Sequence, residues 1–423
     1  MHTTTVAPRP TPARRGPGPR FFLMVLAAVG ASGVAPAAGQ APAKAKAPAS
    51  KPAPAPVCIT HGPYLQNPAA DSVTIVWLTD KPCVSRVEYG TGEKLDRTAV
   101  SAHHGLVDAY KTTHTVTLSG LEPGTTYRYR VCSKEIVSFK PYKVVFAQTA
   151  CSEPARFTTL EAGKREFSFV MVNDVHGKAG PLREKLDSVD WSGVDLAFLN
   201  GDSISHVETE KDVFAGFIDA CVERFATKVP MVYVRGNHET RGLLARKLSE
   251  YLPPRDGRYY YAFSHGGVRF VVLDSGEDKA DSAEVYAGLV AFDPYRREQA
   301  RWLAGEVASD AFRQAAWRIV VVHIPPWGGE DWHGELHARK VWGPILNGAG
   351  VDLMLCGHMH KHIHVKPSPQ ANAMPILINS NEAVLRVDVG PAGLKLRVTA
   401  KRDKTAATLD KVVEAFDIPP RAK

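Results

Sequence analysis

Apolar positions along this chain change their spacing once, and the change divides it. Between Cys58 and Thr159, the segments SVTIVWLT, SRVEYG, THTVTLSG and TTYRYRVCS alternate or run β-branched and aromatic, with Gly, Pro and Asp turns between them. That spacing predicts an all-β unit, with Trp77 in its core. From Phe167 onward, short and almost wholly apolar runs take over: FSFVMVN, DLAFLN, PMVYVR, RIVVV and DLMLC. They have the length and composition of buried strands. Helical stretches lie between them, among them PLREKLDSV, DVFAGFIDACVERFA and YRREQARWLAGEVAS, the last with Ala300, Leu303 and Val307 on one stripe. Strands alternating with helices predict an α/β sheet covered by helices. VLRVDVG and LKLRVTAKR, joined by Gly-Pro-Ala-Gly, predict a closing hairpin. No internal repeat is visible.

Ahead of the first strand the pattern is neither. A basic stretch ending at Arg20 leads into FFLMVLAAVGASGVAPAAG, which thins to small residues near Ala35–Ala37. This is the layout of a secretory signal peptide. An N-terminal membrane anchor is the alternative, opposed by the Gly, Ser and Pro content of the stretch. The tract APAKAKAPASKPAPAPV has too little apolar bulk to fold and reads as a semi-stiff spacer. The expected organisation is a signal peptide over 1–39, a Pro/Ala/Lys-rich linker over 40–57, a β-sandwich over 58–160 and a catalytic domain over 166–418. The expected location is periplasmic or extracellular, with cell-surface association open to the linker and no transmembrane span in the mature chain.

Charge adds little once it is located. The formal net charge is +8, but residues 1–57 hold seven cations and no acid, leaving 45 cations against 44 acids. So balanced a body gives no support for nucleic-acid binding. Of the six cysteines, Cys58, Cys83, Cys132 and Cys151 fall before the α/β region, where an exported sandwich could hold one or two disulfides. Cys221 and Cys356 read as buried thiols.

The chemistry sits where the apolar runs stop. Five polar clusters follow them: Asp174-Val175-His176, Gly201-Asp202, Gly236-Asn237-His238-Glu239, His323 and Gly357-His358-Met359-His360. Each alone is weak; a lone His after RIVVV is more often structural. Together, in this order and at strand ends, they read as one site. Imidazole, carboxylate and amide oxygen, without sulfur, suit zinc, manganese or iron. One carboxylate can bridge two ions about 3.5–4 Å apart, and Asp202 is centrally placed to do so.

The series D-x-H, G-D, G-N-H-E, H, G-H-x-H resembles the calcineurin-like metallophosphoesterase superfamily, from about Phe167 to the C-terminal strands. A β-sandwich before such a domain is most similar to the purple acid phosphatase branch. Leu121-Glu-Pro-Gly-Thr-Thr-Tyr127 likewise resembles a fibronectin type III corner. The resemblance implies a fibronectin III-like sandwich followed by a four-layer α/β sandwich. It implies one metal on Asp174, His176, Asp202 and His360, and a second on Asp202, Asn237, His323 and His358. His238 would be the proton donor, with Glu239 orienting it and Asn237 helping to stabilise charge. The implied reaction is hydrolysis of a small phosphomonoester by in-line attack of a metal-bridging hydroxide. Phosphodiesterase or nucleotidase activity is the runner-up. A surface-binding protein with a relic catalytic domain is the reading from another class, opposed by the complete ligand set. One departure stands out: the branch carries a tyrosine ligand three residues after the bridging Asp, and here that residue is Ser205, while His176 is extra.

Neighbouring residues carry weaker expectations. Trp327, Trp332, His333 and His337 could overhang the site or pack among themselves, and His206 could approach substrate. Arg235 reads as a structural ion pair rather than a phosphate ligand. Tyr233 and Tyr260 are the alternative tyrosines, His362 could support the ligands, and His364 reads as surface. The mature protein is expected to begin between Ala38 and Ala41. N-terminal sequencing from the native host checks this, and an intact Met1 recovered in membranes contradicts it.

Overall fold

The computed structural model describes residues 55–403 and 408–421. The expected leader and most of the linker lie outside them. The described chain from Ala55 onward forms one compact unit, and no described helix is long and apolar enough to cross a membrane.

The alternating N-terminal segments fold as antiparallel strands around Ser72–Gly90, a strand of 19 residues. Its first half pairs with Ile59–Gln66 and Lys111–Ser119, and its second half with Thr126–Lys140 and Arg97–Ala99. One strand thus serves both faces of the sandwich. The enclosed core includes Trp77, Val87, Tyr127, Tyr129 and Phe157. Trp77 donates its indole N–H to Ser133 Oγ at 2.9 Å, so the largest core side chain leaves no buried donor without a partner. The expected corner is present: Tyr127 Oη accepts from the Glu122 N–H at 3.0 Å. Cys132 and Cys151, opposite one another on paired strands, form the disulfide, while Cys58 and Cys83 are free.

All five apolar runs are strands, in two sheets. Phe167–Val172, Val194–Asn200 and Met231–Val234 are parallel neighbours in the first. Trp317–Val321 and Leu353–Cys356 are parallel neighbours in the second. The sheets face each other across a core that includes Phe169, Phe198 and Val232 from one and Phe263, Phe270, Ile319 and Leu355 from the other. Outer clusters hold helices against both, including Ala179–Asp187 on the first and Phe292–Val307 and His333–Gly348 on the second. The result is the four-layer order of helix, sheet, sheet and helix. Part of the DVFAGFIDACVERFA segment winds with π-type turns, Phe214–Ile218 and Val222–Ala226.

The C-terminal hairpin, Ala383–Gly390 with Gly393–Lys401, gains a third strand, Leu409–Ile418. The sequence reading passed over it, because exposed valines and charged residues mix along this edge strand and blur its alternation.

The sandwich and the first sheet are continuous: Gln66 pairs in parallel with Met231. Around this junction the buried Tyr64 donates its hydroxyl to the Tyr251 carbonyl at 2.6 Å, and Tyr129 donates to the Thr227 carbonyl at 2.9 Å. Tyr64→Phe leaves that buried carbonyl without its donor, at a cost of about 1–3 kcal/mol. Calorimetry should show one unfolding transition moved to lower temperature; two separate transitions would contradict a shared core.

Candidate metal centre

Each polar cluster begins within two residues of the C-terminal end of a parallel strand. Asp174 follows Phe167–Val172, Asp202 follows Val194–Asn200, Asn237 follows Met231–Val234, His323 follows Trp317–Val321 and His358 follows Leu353–Cys356. Parallel strands in register deliver their exits to one edge, which is where open α/β sheets place ligands.

The side chains converge in two groups. Donor atoms of Asp174, His176 and His360 lie within 4.8 Å of one another, as do those of Asp202, His323 and His358. Asp202 also groups with His176 and His238, so it faces both sides. His360 Nε2 is 3.3 Å from Asp174 Oδ1, and His323 Nε2 is 3.2 Å from Asp202 Oδ2. Asp174 Oδ1, Asn237 Oδ1 and His323 Nε2 are all buried without a hydrogen-bond partner, the last because its contact with Asp202 lacks hydrogen-bond geometry. Orphaned polar atoms in a buried site carry a desolvation cost that a bound cation removes. The donor set is nitrogen and oxygen only, so the residues present fit two ions of the zinc, manganese or iron kind.

The backbone confirms how tightly these groups are placed. Asp174, His176, Asp202, His358 and His360 all have left-handed backbones, with φ of 51°, 51°, 51°, 71° and 54°. Each such residue costs on the order of 1–3 kcal/mol and persists only where its surroundings enforce it. The glycines of the motifs clear the space. A Cβ at Gly201 would stand 2.3 Å from His323 Nδ1, and one at Gly236 would stand 2.3 Å from Asp202 Oδ1.

A second ring of contacts aims the donors. His323 Nδ1 donates to the Asn200 carbonyl at 2.7 Å, leaving Nε2 for the centre. Asp174 Oδ2 accepts from Asn173 Nδ2 at 2.6 Å and from the His358 N–H at 2.9 Å. Electrostatics follow the geometry. Burial opposes charge on His323, but the Asp202 and Asp174 carboxylates outweigh it and push its pKa up to about 10. Burial pulls His176 and His358 down to about 4, so both are neutral donors at neutral pH. Burial and the nearby Asp202 carboxylate push Glu239 up to about 8.

Glu239 requires a correction. It was expected to orient His238 but does not touch that ring. Its carboxyl accepts from the N–H groups of Asp202 (2.9 Å), Ser203 (2.6 Å) and Gly236 (3.1 Å), clamping the loop that carries Asp202. His238 is oriented by Ser205, whose carbonyl accepts from Nδ1 at 2.9 Å, while Ser205 Oγ donates to the His176 carbonyl. Ser205 therefore shapes the site through both its carbonyl and its hydroxyl.

Other expectations divide. Arg235 is a structural cation, paired with Asp274 at 2.7 Å. Trp327 is in the core, Trp332 is exposed beneath Lys279, and His333 and His337 turn to Asp293. His206 meets His238 edge-on, with ring centroids 6.3 Å apart. His362 and His364 share a face, as their spacing implies, and both meet Glu414, so His364 is not free surface. Tyr233 is buried and Tyr260 donates to Glu298. The sequence reading missed Arg241 and its partner Glu277, which lie beside His238. Arg241 directly follows the G-N-H-E cluster, but nothing in the sequence pattern marks Glu277.

Two family models match this chain. Calcineurin-like phosphoesterase covers residues 167–362, and the N-terminal domain of purple acid phosphatase covers residues 62–159. Residues 167–362 thus form a calcineurin-like phosphoesterase domain. Among curated relatives it is 25% identical over 318 residues to purple acid phosphatase 18 of Arabidopsis thaliana, covering 69% of this chain and 63% of that protein. It is also 25% identical to purple acid phosphatase 21 of the same plant, over 72% of this chain and 66% of the relative. The chain thus spans just under two thirds of these relatives. The fold matches the purple acid phosphatase PPD1 from yellow lupin (Lupinus luteus) with a TM-score of 0.62 at 15% identity, covering 84% of this chain and 74% of that one.

If Asp202 is shared between both groups, Asp202→Asn should abolish stoichiometric metal after loading and gel filtration. Elemental analysis checks this, and two ions retained would show that the carboxylate is not the shared ligand.

Proposed function

We propose that this chain is an exported two-metal phosphomonoesterase. The observation that carries the reading is the convergence of six expected ligands, together with three buried polar atoms without protein partners, one of them on the seventh, Asn237. Asp174, His176, Asp202 and His360 would hold one ion, and Asp202, Asn237, His323 and His358 the other. When bound, such a pair supplies Lewis-acid polarisation of the phosphoryl oxygens and a nucleophilic water at neutral pH.

The protein groups have separable tasks. Asn237 presents a buried amide oxygen to the centre and positions the loop that follows. Glu239 fixes the Asp202 loop, so the shared carboxylate stays put as charge develops. His238 is anchored through Nδ1, leaving Nε2 3.8 Å from Asp202 Oδ2. There it would give its proton to the leaving oxygen. In the structure Nε2 meets Arg241 Nη1 at 3.1 Å; a guanidinium only donates, so Nε2 is the acceptor. That contact must open, and Nε2 must first take up a proton, before His238 can act as the acid. Beside His358 and His360 lies an open cavity of about 160 Å³, with carboxylates on its far wall. Export rests on the leader, the disulfide and the spacer composition.

The metal-loaded protein should cleave p-nitrophenyl phosphate faster than its bis-ester. His238→Ala should keep both metals and slow alkyl phosphates about 10²–10⁴-fold. p-Nitrophenyl phosphate should suffer much less, because its leaving group departs as a stable anion. His323→Ala should instead weaken metal binding and slow both substrates. Equal slowing of both by His238→Ala, with metal intact, would overturn the acid assignment.

A further inference from the structure

Beside His238 stands a cation that neither ligand group uses. Arg241 is gripped by Glu277 through a fork: Nε donates to Oε1 at 2.8 Å and Nη2 to Oε2 at 2.7 Å. Glu277 is 1% exposed and also accepts from Thr240 Oγ1 at 2.8 Å and Tyr286 Oη at 3.0 Å. Four donors thus fix this carboxylate, and through it the plane of the guanidinium. The remaining nitrogen, Nη1, points away from Glu277 to His238 Nε2. It carries two N–H groups, and His238 takes one; among the described residues no other acceptor meets it.

Among the described residues, Arg241 is the cation whose guanidinium meets His238. Arg235 is committed to Asp274, and Lys279 to Asp278 and the Trp332 ring. Asp278, Glu330 and Glu335 line the cavity beside His358 and His360, a wall that repels anions.

We propose that Arg241 donates from Nη1 to a non-bridging phosphoryl oxygen of the substrate and so selects dianionic phosphomonoesters over diesters. This rests on the phosphoester reading of the site. A monoester has three non-bridging oxygens sharing two negative charges, and a diester has two oxygens sharing one. With two oxygens directed to the two ligand groups, only the monoester has a third, charged acceptor left for Nη1. The diester presents an ester oxygen and its substituent there instead. Glu277 is the positioning residue, since it reaches substrate only through Arg241.

The test uses full-length, metal-loaded protein with p-nitrophenyl phosphate, bis(p-nitrophenyl) phosphate and inorganic phosphate as probes. Arg241→Gln should lower kcat/KM for the monoester about 10–10²-fold, as expected for losing a charge-assisted hydrogen bond. Diester turnover should change less than about 3-fold, and metal content should not change. Inorganic phosphate, measured by calorimetry, should bind at least about 10-fold more weakly. Arg241→Lys should restore part of the loss, as a point charge without the fork. Should Arg241→Gln misfold because Glu277 is left buried and uncompensated, the double variant Arg241→Gln/Glu277→Gln removes that charge and carries the same expectations. Equal losses on both esters, or unaltered phosphate binding, would overturn the proposal. Wild-type protein that cleaves neither ester would sink the phosphoesterase reading itself, while phosphate binding would still decide the role of Arg241.

Discussion

The centre depends on one buried carboxylate, Asp202. It is 2% exposed, has a left-handed backbone and faces both groups of metal donors. A carboxylate so placed is costly unless charge or hydrogen bonds compensate it. The compensation is built from several directions. The His238 N–H donates to Oδ1, His323 stands at Oδ2, and Glu239 holds the backbone on either side. Gly201 and Gly236 are needed because any side chain there would collide with His323 or with Asp202 itself. The motif residues that bind no metal are therefore as constrained as those expected to bind it.

The sheets supply the precision this requires. Donors on different strand exits can meet in threes within 4.8 Å only if their strands keep register, and the packed core between the sheets enforces that. The N-terminal sandwich extends the same framework. Its first strand pairs beside Met231, in the strand that leads to Asn237, and Tyr64 closes the junction from the buried side. The sandwich offers no cluster of grouped donors among the described residues, and its junction braces the strand that leads to Asn237.

The supporting contacts around His238 show where reading a motif stops short. Adjacency in sequence pointed from Glu239 to His238, yet the carboxyl folds back onto the Asp202 loop. The task passes to the Ser205 carbonyl, an atom that every residue type carries and that no motif can mark. Arg241 and Glu277 make the same point: 36 residues separate them, and only folding shows that they share a fork.

The sequence by itself determined the alternation of strands and helices, the sandwich ahead of them and the seven candidate ligands. The reason is that buried strands need continuous apolar runs and metal chemistry needs particular donor atoms at their ends. Both constraints are local and leave a written trace. Tertiary structure alone decided which cysteines pair, that His333, His337, His362 and His364 serve carboxylates elsewhere, and that a third strand closes the C-terminal hairpin. It also decided which groups aim His238. Those outcomes rest on backbone carbonyls, on sheet register and on charges brought together from distant positions, none of which is encoded in the type of any one residue.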